Sequence, residues 1–580
     1  MSLTSSLQIG RSALTASQIA IQVTGNNFAN AATPGYSRQV ATLAPSRDTS
    51  FGGFFLGRGV YVQDVRRQVD SALLARLNLS TSNEAGASTD LSLLSQVESM
   101  LNELSDSDVS SALSAFFNTW SELANSPAST GTRSLVVQQG STLASFIRQT
   151  RQNLLNIRSQ LDGQLDANVS RANDLLSQVA ALNAAIVTSE AGSAQANGLR
   201  DQRDALVNQL SQLMDISTVE QPSGAVDVLA GSIPVVLAGR SRGVVVDRRT
   251  TGNGVEVAVR LRDDPQTIPV NSGVIGSLLG QRGRLVDDTL AKLDSLASQL
   301  IFQVNRLHSG GYSLSPLESI TGTRTVTAAD VGRSLNDPAN AAFASLPFAA
   351  ASGGFTVTVR NTATGATQSV RINVDLDGID SAGQPGFGDD SSVRSIADSL
   401  GQVPNLTATV RPDGTLRIDA AEGHTFSFSD DSSGVLAVLG INTYFTGSGA
   451  ADIGIRPALL ESPSLLCAGR TVDGQPNDNG GALAIAGLQD LAIDALGGRT
   501  IRGQWQEAVQ SVGLRTGAAR TQAEATSLVR QNLEAQRAAI SGVSVDEESI
   551  NLLTYQRQYQ GAARFISAVD EMTRVLLQLI

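Results

Sequence analysis

The chain has 580 residues, 41% of them hydrophobic and 17% charged, with a formal net charge of −12. That length predicts several domains of roughly 100 to 200 residues each, and an acidic balance without any Lys/Arg cluster excludes a surface built to neutralise nucleic-acid phosphates. A single cysteine, Cys467, excludes an internal disulfide and a cysteine metal cage, and two histidines, His308 and His424, leave little for imidazole chemistry.

At the N-terminus, Leu3, Leu7, Leu14, Ile21 and Phe28 fall on a four-three ladder, with Gly10, Ser17 and Thr24 in the same stripe. This spacing predicts a helix over about 3–29 with a heptad seam. The opening lacks the basic, apolar, small-residue order of a cleaved secretory signal, and no apolar run reaches the roughly 18 residues of a membrane span. Helical periodicity continues over 71–215, through Leu94, Val97, Leu101 and Leu104, then Leu113, Phe116, Trp120 and Leu123. A longer seam follows from Leu143 to Ile186, with a phase slip near Leu165 that predicts one rod-like helix. A last amphipathic stretch, Leu199 to Leu213, carries Arg200, Asp201, Arg203 and Asp204.

From 216 to 270 the period changes to two, as in Gly254 to Val259, which predicts a small β domain. Helix returns over Val274 to Leu307. Residues 316–460 alternate again, with one hairpin expected around Thr364–Gly365 and a second around Arg411 to Gly414. This segment holds 15 carboxylates against 8 arginines and reads as an outward, solvated β insert that a short linker could replace. Helix resumes from Gly481, with breaks near 497 and 541. The final helix starts at Ser544-Val545-Asp546-Glu547-Glu548, where carboxylates favour the positive end of the helix dipole. Its ladder runs through Leu552, Tyr555, Tyr559, Ala562, Ile566, Val569, Leu576 and Ile580, interrupted by Thr573.

The predicted class is therefore α+β and multidomain: long terminal helices pairing in a coiled-coil-like core, a helical rod domain, and outer β domains. The expected division is 1–70 with 538–580 as a terminal helical core, and 71–215 with 271–315 and 461–537 as the rod. Residues 216–270 form the small β domain and 316–460 the outer insert. Ends that pair and a middle that loops outward predict an elongated molecule. An apolar stripe on a terminal helix must be covered within the chain or by another copy, and the second case predicts that about 1–70 and 538–580 are mobile in the monomer and order only on assembly.

Little in the sequence carries catalytic chemistry. Asp375 to Asp380, with Asp389 and Asp390, is rich in hard oxygen ligands but lacks the twelve-residue calcium loop and its closing Glu, so it reads as a polar β-loop. Neither a phosphate-binding loop nor a nucleophile elbow occurs. No cofactor, metal or catalytic residue is expected, and the chain reads as a structural protein and not an enzyme.

The stretch GNNFANAATPGYSRQ, with Asn26, Asn27, Asn30, Gly35, Tyr36 and Arg38, resembles the signature of flagellar axial proteins. Asn caps helices and tolerates left-handed backbone, and Pro34-Gly35 makes a turn. Five further blocks, GRGVYVQDVRRQVDSALLARL, LRDQRDALVNQL, QVNRLHSGGYSL, NDNGGALAIAGLQ and the stretch from Ser541 to Leu579, follow in order. Together they resemble the flagellar hook-associated proteins of the FlgK type over about half of the chain. Tyr312 departs from the family pattern, which has an Asp there.

The resemblance implies a subunit of the hook–filament junction. Its terminal helices would line the core of a tubular assembly, with export through the flagellar channel without a cleaved signal. The implied partners are further copies of the chain, hook protein, the second junction protein on the filament side, the export apparatus and a cytosolic export chaperone, with no nucleic acid and no membrane span. The implied assembly interface is Leu3, Leu7, Leu14, Ile21, Phe28, Asn26, Asn27, Asn30, Gly35, Tyr36 and Arg38, with Leu552, Tyr555, Tyr559, Ile566, Val569 and Leu576. The alternatives are another axial component, hook or rod, and a secreted adhesin or enzyme on a helical stalk.

Overall fold

The computed structural model describes residues 3–51, 53–101, 108–192, 194–251, 254–472 and 475–578. Leu104 and Ile580, both named in the ladders above, lie outside these residues. The principal helices in chain order are α1 (Leu3–Ala29), α2 (Ser71–Leu101), α3 (Val109–Asn125), α4 (Thr130–Glu190), α5 (Asn197–Leu213) and α6 (Gly273–Gln281). They continue as α7 (Asp288–Ser309), α8 (Val393–Gly401), α9 (Gly480–Gly487), α10 (Ile501–Ser541) and α11 (Val545–Gln578). Helix and strand are thus mixed along the chain, with long helices at both ends. The 61-residue α4 runs unbroken through the phase slip, because Leu161, Leu165 and Val169 at successive four-residue steps are all buried. Among the described residues, no helix is long and apolar enough to cross a membrane.

The chain divides into two compact units. The first comprises Met1–Leu94, Gln160–Arg282 and Thr516–Ile580. Its α1 and α11 lie against each other, so the terminal helices already pair within one chain. An antiparallel strand pair, Gln39–Pro45 with Val60–Arg67, flanks α1, and its register shifts between Thr42 and Leu43. A short hairpin, Thr49–Phe51 with Phe54–Leu56, extends from it. The predicted small β domain is a four-stranded antiparallel meander from Ile216 to Ser241 and a three-stranded sheet from Val244 to Ile268. Fully buried Asn183 of α4 fastens the meander: its amide donates to the Val226 and Ala238 carbonyls and accepts from the Val226 N–H, at 2.7 to 3.0 Å.

The second unit comprises Ser95–Ser159 and Gly283–Arg515. Both expected hairpins are present. Gly353–Asn361 pairs with Thr367–Val374 and, on its other edge, with His424–Ser429. Leu406–Val410 pairs with Leu416–Ala420 through a turn in which Gly414 takes a left-handed φ of 81°. The interval expected as a separable insert is not solvated throughout, however. Asn305 of α7 accepts from the Tyr444 and Phe445 N–H groups and donates to the Phe445 carbonyl, while Tyr444 packs 5.4 Å from the Trp120 ring and donates to the Val136 carbonyl. Large aromatic surface draws the end of the interval into the helical core.

Candidate assembly interface

The seam between α1 and α11 sets small residues on α1 against larger ones on α11. On α1 the buried positions are Gly10, Ala16, Ser17, Ala20, Thr24 and Asn27. Opposite them α11 buries Glu548, Ala562 and Val569 and half-buries Leu552, Tyr555, Tyr559 and Ile566, which is one continuous four-three row. A Cβ at Gly10 would lie 2.7 Å from Cγ1 of Ile566, so the helices approach to a distance that only glycine allows there. Leu3, Leu7, Leu14 and Ile21 are half-buried and Phe28 is exposed. Positions 7, 14 and 21 sit three residues before 10, 17 and 24, roughly 60° round the helix, and so occupy the edge of the contact and not its axis.

The far end of the pair is closed by a polar knot. Asn27, 1% exposed, accepts from the Tyr36 hydroxyl (2.8 Å) and the Gln39 N–H (2.9 Å), and donates to the Gln39 carbonyl (2.8 Å) and to Glu548 (3.2 Å). Arg38 meets the other oxygen of buried Glu548 at 2.8 Å and Glu547 at 3.2 Å, and its N–H donates to the Ser541 carbonyl. The helix end therefore leads into a turn, with Pro34 and then Gly35 at a φ of 83°, that returns the chain to α11. Asn30 donates back to Asn26, and Asn26 donates to the Tyr36 hydroxyl at 3.2 Å. Burial, with the charges of Asp201 and Glu548, pushes the Tyr36 phenol up to about 12, so it remains a neutral donor.

An ion-pair network continues from this knot through α5. Arg67 binds Asp201 (2.9 Å) and Asp204 (2.8 Å), and Asp201 also accepts from the Ser37 N–H. Arg200 joins Glu190 and Glu220 at 2.7 and 2.6 Å; its hydrogen bonds hold the Glu190 carboxyl below the usual range. Periodicity missed these partners. Two signals were available: the Arg-Asp pairs of LRDQRDAL recur at three residues, on one helix face, and Glu548 lies four residues before Leu552, in phase with the apolar row.

Of the residues implied as an interface, those around Asn27 are thus drawn together by contacts within the chain. Leu576, with Phe28, remains exposed. The outer side of α11 adds Ile550, Leu553, Phe565, Met572 and Val575, all exposed, and Leu577, also exposed, lies near the azimuth of Ile566 at the end of the helix. Elsewhere, in the second unit, the carboxylates of Asp375, Asp377 and Asp390 come within 4.8 Å of one another, and Asp390 accepts from Asn336 at 2.7 Å.

Residues 94–321 match the family described as the flagellar hook-associated protein FlgK helical domain. Residues 7–36 match the flagella basal body rod protein family, and 534–579 the flagellar basal body rod FlgEFG protein C-terminal family. The chain is 31% identical over 347 residues to flagellar hook-associated protein 1 of Bacillus subtilis, covering 53% of this chain and 68% of that one. It is 25% identical over 584 residues to flagellar hook-associated protein 1 of Salmonella typhimurium, covering 98% of each. The structure of the flagellar hook junction protein FlgK from Burkholderia pseudomallei aligns with a TM-score of 0.49 at 16% identity, covering 80% of this chain and all of that one.

Proposed function

The chain belongs to the flagellar hook-associated protein 1 family, structural proteins of the hook–filament junction, and we propose that it joins hook to filament by self-association through the α1/α11 pair. The observation that supports this is the division of labour on α11. One row of the helix is taken up by α1, while Ile550, Leu553, Phe565, Met572, Val575 and Leu576 stay in water. Two exposed apolar groups on that side, Ile550 with Leu553 and Phe565 with Met572, Val575 and Leu576, are a surface for another chain.

In this reading the implied interface residues divide into two groups. Asn26, Asn27, Asn30, Gly35, Tyr36 and Arg38, with Leu552, Tyr555, Tyr559, Ile566 and Val569, set the helix pair inside each subunit. Leu3, Leu7, Leu14, Ile21, Phe28 and Leu576 sit at its edge and reach neighbours. The pair forms the core of the assembly. The rod segments 71–215, 271–315 and 461–537 and the β regions 216–270 and 316–460 make up the rest of the subunit, the last held to α3 and α7 through Tyr444 and Phe445. The subunit contacts hook protein on one side and the second junction protein on the other. It reaches its extracellular place through the flagellar export apparatus with a cytosolic chaperone and without a cleaved signal, and carries out no catalysis.

The test is immunogold labelling of native flagella combined with Leu14→Asp. Label confined to the hook–filament boundary, and lost with the substitution while the purified variant keeps its helical circular dichroism, is the expected result. Label along the whole hook, or normal filaments in the variant, overturns the proposal.

A further inference from the structure

The hairpin Thr49–Phe51 with Phe54–Leu56 holds Phe54 and Phe55 at 73% and 78% exposure, among the most exposed large apolar side chains of the described residues. A two-stranded ribbon of three residues a side has no hydrophobic face to shelter them. At this exposure the two rings offer roughly 300 Å² of apolar surface.

The same unit carries a complementary groove. A trough of about 440 Å³ runs between α1, the Gln39–Pro45/Val60–Arg67 strand pair and α11, with Ala13, Ala16, Leu43, Val60, Gly561 and Phe565 among its walls. It is open because its helical walls are made largely of small residues; a Cβ added at Gly561 would meet nothing within 4 Å. The trough borders the α1/α11 seam and so adjoins the surface already assigned to self-association.

We propose that the Phe54–Phe55 hairpin of one copy inserts into the α1/α11 trough of a neighbouring copy. The proposal rests on the self-association reading and names the contact through which one subunit grips the next. Knob and trough are different surfaces of one chain, so the contact is heterologous, and such a contact propagates round a ring or along a helix instead of closing after two copies. The area agrees with that. A stable pairwise interface covers about 800 Å² on each partner, and the two rings supply less than half of it. The grip therefore holds only where the exposed apolar groups of α11 are covered at the same time, and the isolated chain stays monomeric.

The test uses two single substitutions, Phe55→Cys and Gly561→Cys, on full chains with different epitope tags, co-expressed in a host deleted for the native protein. The native thiol of Cys467 is buried and adds no background. Under mild oxidation of isolated flagella, a disulfide-linked dimer carrying both tags is expected, absent when either variant is expressed alone and absent from the soluble chain. In parallel, Phe54→Ser/Phe55→Ser is expected to be exported at the unaltered level with unchanged circular dichroism, and to occupy the junction at least tenfold less. Tagged chain at the junction without the dimer, or normal incorporation of the double serine variant, overturns the knob-and-trough contact and leaves the proposed function standing. A crosslink from Phe55→Cys to a different flagellar protein overturns the choice of partner. Absence of the unsubstituted chain from the junction overturns both.

Discussion

Asn27 is an amide with both hydrogens donated and its oxygen accepting twice, and its loss strands the Gln39 backbone and one oxygen of Glu548 away from water. Asn27→Ala is expected to cost about 1–3 kcal/mol, seen as faster amide exchange across Ser544 to Tyr555 and around Gln39; unchanged exchange there contradicts it. His308 supplies a second expectation. Its ring is fully buried, with Nδ1 against the Asn442 carbonyl and Nε2 accepting from the Cys467 N–H, and burial pushes its pKa down to about 4. Between pH 6.5 and about 4 the unfolded chain takes up the proton and the folded chain does not. The contribution is thus complete above pH 6.5 and falls by on the order of 3 kcal/mol as the pH drops to 4. Trp120 and Trp505 both belong to the second unit, so tryptophan fluorescence in a denaturant series reports this directly. His308→Gln is expected to give a shallower acid limb than the native chain.

The helices and hairpins were legible where one period is held for several turns or a turn carries its own glycine. Thus α1 and α11 follow from their ladders, and Leu406–Val410 and Leu416–Ala420 from the Pro-Asp-Gly turn between them. Periodicity put Gly10, Ser17 and Thr24 in the same stripe as Leu7 and Leu14 but ranks positions by apolarity, so it named the leucines as the interface, whereas close approach is set by what is missing, as at Gly10. Gly10→Val is accordingly expected to push α1 from α11 and raise exchange in both, with partial recovery in Gly10→Val/Ile566→Ala because the two side chains share one space. A comparable limit applies to Tyr444 and Phe445, which sit in a strand-like run yet complete a helical core. Replacing 320–455 by a linker, which the alternating pattern invites, would take from Asn305 its hydrogen bonds to Tyr444 and Phe445, from Trp120 its contact with Tyr444 and from Phe116 its contacts with both rings. The expected outcome is loss of the cooperative near-ultraviolet transition; an exported deletion with a native signal would show that the second unit tolerates the cavity.

At the scale of the whole molecule, the proposed self-association surface is distinct from the one that holds the subunit together. Leu553 is 57% exposed, so Leu553→Asp is expected to shift monomer stability by no more than about 0.5 kcal/mol while abolishing motility. Equal loss of both in thermal melts and swimming assays would mean that the two surfaces are one. The pairing also fixes how the subunit bears load. Gly10 lies beside Ile566 and Asn27 beside Glu548, so α1 and α11 are antiparallel, with Leu3 and Gln578 toward one end and the Asn27 knot at the other. Force that spreads the open end breaks the seam one turn at a time, whereas force along the helix axes strains every turn together. The pair is consequently compliant when peeled and stiff in shear, and an optical trap pulling from residues 3 and 578, against one pulling from 3 and 548, should record the lower rupture force for the first.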